Sequence, residues 1–159
     1  MVYACTRHNA DMSWASCANG HAHWGRRGAA GLLVAHGGQV LLQLRAGWSH
    51  QGGTWSIPGG ARERGETSVQ TALREAEEEL GLAADAIEIR GSYVATCGGW
   101  TYETLMGVPL RALEIANLAE SQDHRWVPAD QVADLALHPA FRAAWTEDES
   151  GLRAFVHAA

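Results

Sequence analysis

The chain has 159 residues, 47% hydrophobic and 19% charged, the balance of one globular domain with a core of its own. Twelve Lys plus Arg against eighteen Asp plus Glu leave a net charge of −6, which excludes a general grip on a nucleic-acid polymer. All the basic residues are arginine, so a P-loop lysine, a Schiff-base lysine and a kinase-type lysine are excluded too. No run of about eighteen apolar residues exists to span a membrane. Met1 to Gly20 lack the charged-then-apolar pattern of a signal peptide. Three irregularly spaced cysteines, Cys5, Cys17 and Cys97, form no disulfide framework. A cytoplasmic protein is expected.

Residues 1–28 show neither helical nor strand periodicity and are expected to be an irregular arm before a domain at 29–159. Ala30 to Ala35 and Val40 to Leu44 are apolar runs around the turn residues His36-Gly37-Gly38-Gln39, a predicted β-hairpin closed by Arg45. Ala46 to Thr54 is a predicted loop. Trp55-Ser56-Ile57 is a predicted short strand, stopped by Pro58-Gly59-Gly60. Thr67 to Leu80 is a predicted helix: Thr67 and Gln70 stand at capping-box spacing, and Gly81 suits a left-handed C-terminal cap. Val69, Ala72, Leu73, Ala76 and Leu80 make its expected buried stripe, centred on Val69. Strands are expected at Ile87 to Thr96, Trp100 to Leu110 and His124 to Val127. Short helices are expected at Asp130 to Leu135 and Ala140 to Trp145. This order predicts an α/β fold, a mixed sheet with helices on its faces.

The helix carries a carboxylate cluster. With Val69 at zero, about 100° per residue puts Glu75 at about 240°, Glu78 at about 180° and Glu79 at about 280°, on one flank, and Glu77 on the other. A solvated acidic face is the ordinary fate of a charge run. Here like charges at i, i+3 and i, i+4 repel by about 0.2–0.5 kcal/mol a pair. The last helical turn adds roughly 0.3–1 kcal/mol against each carboxylate. Arg74 relieves part of this. A divalent cation relieves more, and oxygen-only ligands select Mg²⁺, with Mn²⁺ as the alternative. The glycines at Gly59, Gly60 and Gly65 allow close approach of a polyphosphate.

Gly60-x5-Glu66-x7-Arg74-Glu75-Ala76-x-Glu78-Glu79-x-Gly81-Leu82 resembles the Nudix box, G-x5-E-x7-R-E-U-x-E-E-x-G-U, at every fixed position. The resemblance implies an α/β/α sandwich and hydrolysis of a nucleoside diphosphate linked to another moiety. It implies that Glu75, Glu78, Glu79 and the Gly59 carbonyl bind metal, that Arg74 orients the glutamates, and that Gly60 and Glu66 support the loop. Water attacks phosphorus, and Glu78 or Glu79 is the first choice of base, with Glu120 or Asp123 outside the box as the second.

Segments from Trp24 to Trp145, among them Trp48-Ser49-His50-Gln51-Gly52-Gly53-Thr54-Trp55 and Leu137-His138-Pro139, resemble MutT-like proteins of actinobacteria. That favours a nucleoside triphosphate, oxidised guanine forms included, cut to monophosphate and pyrophosphate. Gly98 stands where ADP-ribose hydrolases carry Pro, and Gly99 and Trp100 where dinucleoside-polyphosphate hydrolases carry Tyr. Phe141 stands near the Asn that reads 8-oxoguanine in MutT enzymes, so strict selectivity is not expected. Pyrophosphatase action on ADP-ribose or a nucleotide sugar, and a binding-only sensor, are the alternatives.

Trp48, Trp55, Trp100, Tyr102 and Trp126 are candidate base-stacking residues, with core packing favoured for Trp126. Arg45 is a candidate phosphate contact. A homodimer is left open. In the arm, Cys5-x2-His8, Cys17-x3-His21 and His23 fit no standard zinc motif. Free thiols and no stoichiometric zinc are expected there. Removal of Met1 to Asn19 is expected to leave the fold and most activity intact.

Overall fold

The structure, a computed structural model, describes residues 14–159. Nine strands, three α-helices and three short 3₁₀ segments follow in chain order among them. β1 (Trp14–Ser16) and β2 (Ala22–Trp24) pair only with each other. The second half of the arm is therefore a small hairpin, not the irregular segment expected. Three residues per strand are too few for a periodicity to be read.

The main sheet holds β3 (Ala29–His36), β4 (Gln39–Arg45), β5 (Trp55–Ser56), β6 (Gly59–Ala61), β7 (Ile87–Cys97), β8 (Trp100–Pro109) and β9 (Ser121–Pro128). Its path is β5-β4-β3-β8-β7, with β6 on β3 and β9 on β4. β3 and β8 run parallel and the other pairs antiparallel, so the sheet is mixed. β3 and β4 separate after two pairs; β6 takes the edge of β3, while β5 and β9 flank β4. Pro58-Gly59-Gly60 does not simply stop a strand, because Gly59 and Gly60 pair with Gly31 and Ala30.

Both faces of the sheet are covered. Ala30, Leu32 and Val34 join Leu41 and Leu105 under α1 (Ser68–Leu80), against Ala72, Ala76 and Leu80. Leu33, Ala35, Val40 and Leu42 point the other way, to Phe141 and Trp145 of α2 (Pro139–Thr146) and Leu152 and Val156 of α3 (Leu152–Ala158). Two covered faces explain why β3 is an unbroken apolar run instead of an alternating one. The result is an α/β/α sandwich. α3 had no expected counterpart; it is short and carries only two fully buried side chains.

α1 starts and stops as its sequence requires. The Thr67 hydroxyl accepts from the Gln70 amide, the Gln70 side chain accepts from the Thr67 amide, and Gly81 caps the end at φ 67°. Its buried face differs from the expected stripe. Val69 is 38% exposed, while Thr71, Ala72, Ala76, Glu79 and Leu80 are buried. The stripe is rotated toward the glutamates, because Glu79 has polar partners on the sheet. None of the described helices is long and apolar enough to cross a membrane.

Candidate active site

Glu79 sits where β3 and β4 part. Its Oε2 accepts from Gln43 Nε2 of β4 at 3.0 Å and from the Gly59 amide of β6 at 3.1 Å. At 7% exposure its carboxylate lacks most of its hydration. Burial, then the charge of Glu75, pushes the Glu79 carboxyl up to about 8 against the pull of its two hydrogen bonds. Burial also pushes Glu75 up, with Arg74 opposing.

Arg74 is the brace of the cluster. Its Nε donates to Glu66 Oε1 at 2.6 Å and its Nη2 to Glu66 Oε2 at 3.1 Å, a bidentate pair. Its Nη1 donates to Glu75 Oε1 at 2.8 Å and to Glu78 Oε2 at 3.4 Å, and its Nη2 to the Ala61 carbonyl at 3.1 Å. Glu66 also accepts from the Thr71 hydroxyl at 2.6 Å and the Glu63 amide at 3.1 Å. Partial burial works to raise the Glu66 carboxyl, but the donors from Arg74, Thr71 and Glu63 outweigh it and hold it at about 2. The loop of residues 62–67 is thus tied to the helix through one guanidinium. Glu78 remains 56% exposed on its side chain.

Two glycines are required by close approach. A Cβ on Gly60 would lie 2.4 Å from Glu75 Oε1, and one on Gly59 would lie 2.4 Å from the Tyr102 hydroxyl. Burial, with the charges of Glu79 and Glu75, pushes the Tyr102 phenol up, so it stays neutral beside them.

Gly59 and Gly60 form one end of a cavity of about 400 Å³. Arg45, His138 and Tyr102 supply its polar side chains near that end, and Phe141, Ala140 and Ala144 of α2 an apolar wall. The arm hairpin adds Trp14, His23 and Trp24 to the wall, beside Trp100. The His23 ring stacks on Trp100 at 4.1 Å and 7°, and Trp100 Nε1 donates to the Gly25 carbonyl at 2.8 Å. Burial, then Arg45 and His50, lowers His138 to about 4, so it is neutral near pH 7. Its Nδ1 caps α2 by accepting from the Ala140 amide at 3.1 Å.

Of the expected substrate contacts, Arg45, Trp100 and Phe141 line this cavity. Trp48 and Trp55 do not. Trp48 is 74% exposed, and Trp55 is a core residue with the Arg125 guanidinium 4.8 Å from its ring centroid. Glu120 and Asp123 do not line it either; Glu120 is exposed at the entry to β9. The Leu118 amide donates to the Glu79 carbonyl at 3.0 Å, which sets the Glu120 loop beside the last turn of α1. Sequence reasoning missed Gln43. Its signal was present: one amide inside the apolar strand Val40–Leu44. It also missed the hairpin as a cavity wall, which no local pattern marks.

A sequence model of the NUDIX domain matches residues 25–148. Two Mycobacterium tuberculosis strains carry a protein named "Putative 8-oxo-dGTP diphosphatase 3", 48% identical over 143 residues, which cover 83% of this chain and 66% of the relative. A "Nucleoside triphosphate pyrophosphatase/Nudix hydrolase fusion protein" of Bifidobacterium longum is 40% identical over 148 residues, 87% of this chain and 31% of the relative. The chain thus spans just under two thirds, and about one third, of the lengths of these relatives. A crystal structure of a Nudix hydrolase from M. smegmatis superposes with a TM-score of 0.76 at 47% identity, over 84% of this chain and 89% of that one. With the box intact on α1 and its flanking loop, and with these matches over most of its length, the chain belongs to the Nudix hydrolase family.

Proposed function

We propose that this protein hydrolyses nucleoside triphosphates to the monophosphate and pyrophosphate with a divalent cation. The carrying observation is the pair of carboxylates beside the glycine end of the cavity, Glu79 buried and Glu75 partly buried. Arg74 offsets only part of the charge of Glu75 and makes no hydrogen bond to Glu79, so burial and mutual repulsion still push both carboxyls up, and the glutamates offer only oxygen ligands. The residues present therefore fit a hard divalent ion. Glu75, Glu78, Glu79 and the Gly59 carbonyl would hold it, with Glu120 reaching in from its loop. Bound there, Mg²⁺ or Mn²⁺ neutralises phosphate oxygens and makes water more acidic.

The chain's own groups do the rest. Gln43 and the Gly59 amide fix the Glu79 carboxylate, and Arg74 fixes Glu75 through its tie to Glu66. Glu78 and Glu79 are the candidates to take the proton of the attacking water. Arg45 meets the phosphate tail, and Trp100 with the apolar wall at Phe141 holds the base. The names of the mycobacterial and bifidobacterial relatives support a triphosphate, oxidised guanine forms among them. A nucleotide in the cytoplasm is the expected partner; membranes and nucleic-acid polymers are not.

The test is a panel of dGTP, 8-oxo-dGTP, other nucleoside triphosphates, ADP-ribose, NADH and dinucleoside polyphosphates, assayed with Mg²⁺ and read by product identity. Triphosphates should yield pyrophosphate. Phe141 offers no paired hydrogen bonds to a base edge, so 8-oxo-dGTP should lead dGTP by no more than about 10- to 200-fold. A clear preference for ADP-ribose would refute the substrate class, and absence of turnover on every compound would refute catalysis.

A further inference from the structure

The cysteines and histidines of the arm have a partner the arm itself does not contain. Cys17 Sγ lies 3.4 Å from Cys97 Sγ, and His21 Nδ1 lies 3.1 Å from the same sulfur. One ligand atom from each of Cys17, His21, His23 and Cys97 falls within 4.8 Å of all the others. A zinc ion with Zn–S of about 2.3 Å and Zn–N of about 2.0–2.1 Å sets tetrahedral ligand edges of roughly 3.3–3.8 Å. The 3.4 and 3.1 Å separations match such edges, and no pair of the four atoms is more than 4.8 Å apart. A second observation is independent of this spacing: His23 Nε2 is buried with no hydrogen-bond partner. An unpartnered buried ring nitrogen is costly, and a cation held through that nitrogen would give it a partner.

We infer that Cys17, His21, His23 and Cys97 form a closed structural zinc site, separate from the glutamate cluster. Two thiolates and two imidazoles select zinc, whereas the oxygen-only set on α1 selects a harder ion. Four protein ligands leave no open position for catalysis.

The fold explains what such a site fastens. β1 and β2 pair with no strand of the main sheet, and an isolated pair of three-residue strands is marginal in water. The loop joining them meets the turn between β7 and β8, where the Ala18 amide donates to the Gly98 carbonyl at 2.9 Å. A Cβ on Gly98 would stand 2.6 Å from the Ala18 nitrogen, so the two turns are in close backbone contact. Cys97 immediately precedes that turn and the other three ligands lie in the hairpin. The same hairpin carries Trp14, His23 and Trp24 into the cavity wall. Zinc would therefore hold one wall of the cavity, and its loss should raise KM. Such a site runs against the sequence-based expectation of no stoichiometric zinc. The local spacing Cys17-x3-His21 looked incomplete because its fourth ligand, Cys97, lies far along the chain.

The experiment is elemental analysis of the untagged full chain, purified under reducing conditions and washed with excess Mg²⁺. One zinc per chain is expected. Cys17→Ser and His21→Ala should each reduce retention to below about a tenth, the scale of losing one ligand in a folding-coupled site. Glu78→Gln should leave zinc content unchanged. If the ligand variants fail to fold, cobalt added to zinc-depleted protein should give tetrahedral absorption with thiolate charge transfer. Lack of zinc together with lack of that spectrum overturns the proposal. So does zinc retained undiminished in Cys17→Ser, or a Cys17–Cys97 disulfide, seen as the linked peptide pair in a non-reducing digest.

Discussion

The two ends of the cavity are built in opposite ways. Behind the glycine end, Glu66, Arg74, Glu75, Glu78 and Glu79 come with Gly60 from a single stretch of loop and helix, and one guanidinium joins most of them. At the other end, Trp14, His23 and Trp24 come from a hairpin outside the main sheet and Trp100 from the start of β8. The first end is held by helix geometry and by Arg74, so its chemistry tolerates little change. The second is held by ring stacking and by contacts between turns, so it can vary and set what is bound. On the proposed reading, cleavage and recognition rest on different kinds of scaffold.

The largest effect expected is at the glutamate end. Glu79→Gln keeps the shape and loses the anion; kcat should fall by more than about a hundredfold, since partners of ligands already cost 10- to 100-fold. Glu78→Gln should fall by about a hundredfold, with its exposed side chain costing the fold nothing. Glu78→Gln should melt no lower than the parent in EDTA, because it removes a repulsion with Glu75. Full activity of Glu79→Gln, or parent activity in EDTA without added metal, would break the assignment of this end to chemistry.

Trp100→Ala addresses the recognition end. A stacked base is worth about 1–3 kcal/mol, so KM for the preferred triphosphate should rise by about 5- to 150-fold with a smaller change in kcat. A loss confined to kcat would erase the distinction between the two ends. Deletion of Met1 to Asn19 sharpens it further. The structure changes the expectation from the sequence, since Trp14 lines the cavity. KM should rise while Mg²⁺-dependent turnover at saturation persists, measured in full saturation curves.

Gly60→Ala probes the fit between loop and helix. The new methyl group meets the Glu75 carboxylate, which can swing, and no backbone atom is among its near contacts. The fold should persist and kcat drop by about 10-fold as Glu75 is displaced. Wild-type kcat for this variant would show that the position of Glu75 is not critical.

The smallest effect is one of stability with pH. Glu66 has its folded pKa lowered from 4.5 to about 2, so its favourable interactions are complete above pH 4.5. They are lost as pH falls from about 4.5 to about 2, because the unfolded chain binds the proton first. Thermal melts should show the parent losing Tm across that window. Glu66→Gln should start lower at pH 7 and have a flatter acid limb. Parallel curves for the two proteins would remove Glu66 from the brace.

The sequence by itself determined the parts whose determinants are local. The capping box at Thr67 and Gln70, the left-handed Gly81, the spacing of Arg74 to the three glutamates and the two apolar runs of β3 and β4 all depend on residues within a few positions of one another. Tertiary structure decided everything that required two distant segments to meet. It rotated the buried face of α1 so that Glu79 went inside, because Gln43 and the Gly59 amide were there to receive it. It sent Trp55 to the core and left Trp48 in solvent, a choice made by neighbours and not by the tryptophan. It brought Cys97 to Cys17, which periodicity cannot report, because a contact between the ends of two hairpins leaves no repeat in the chain.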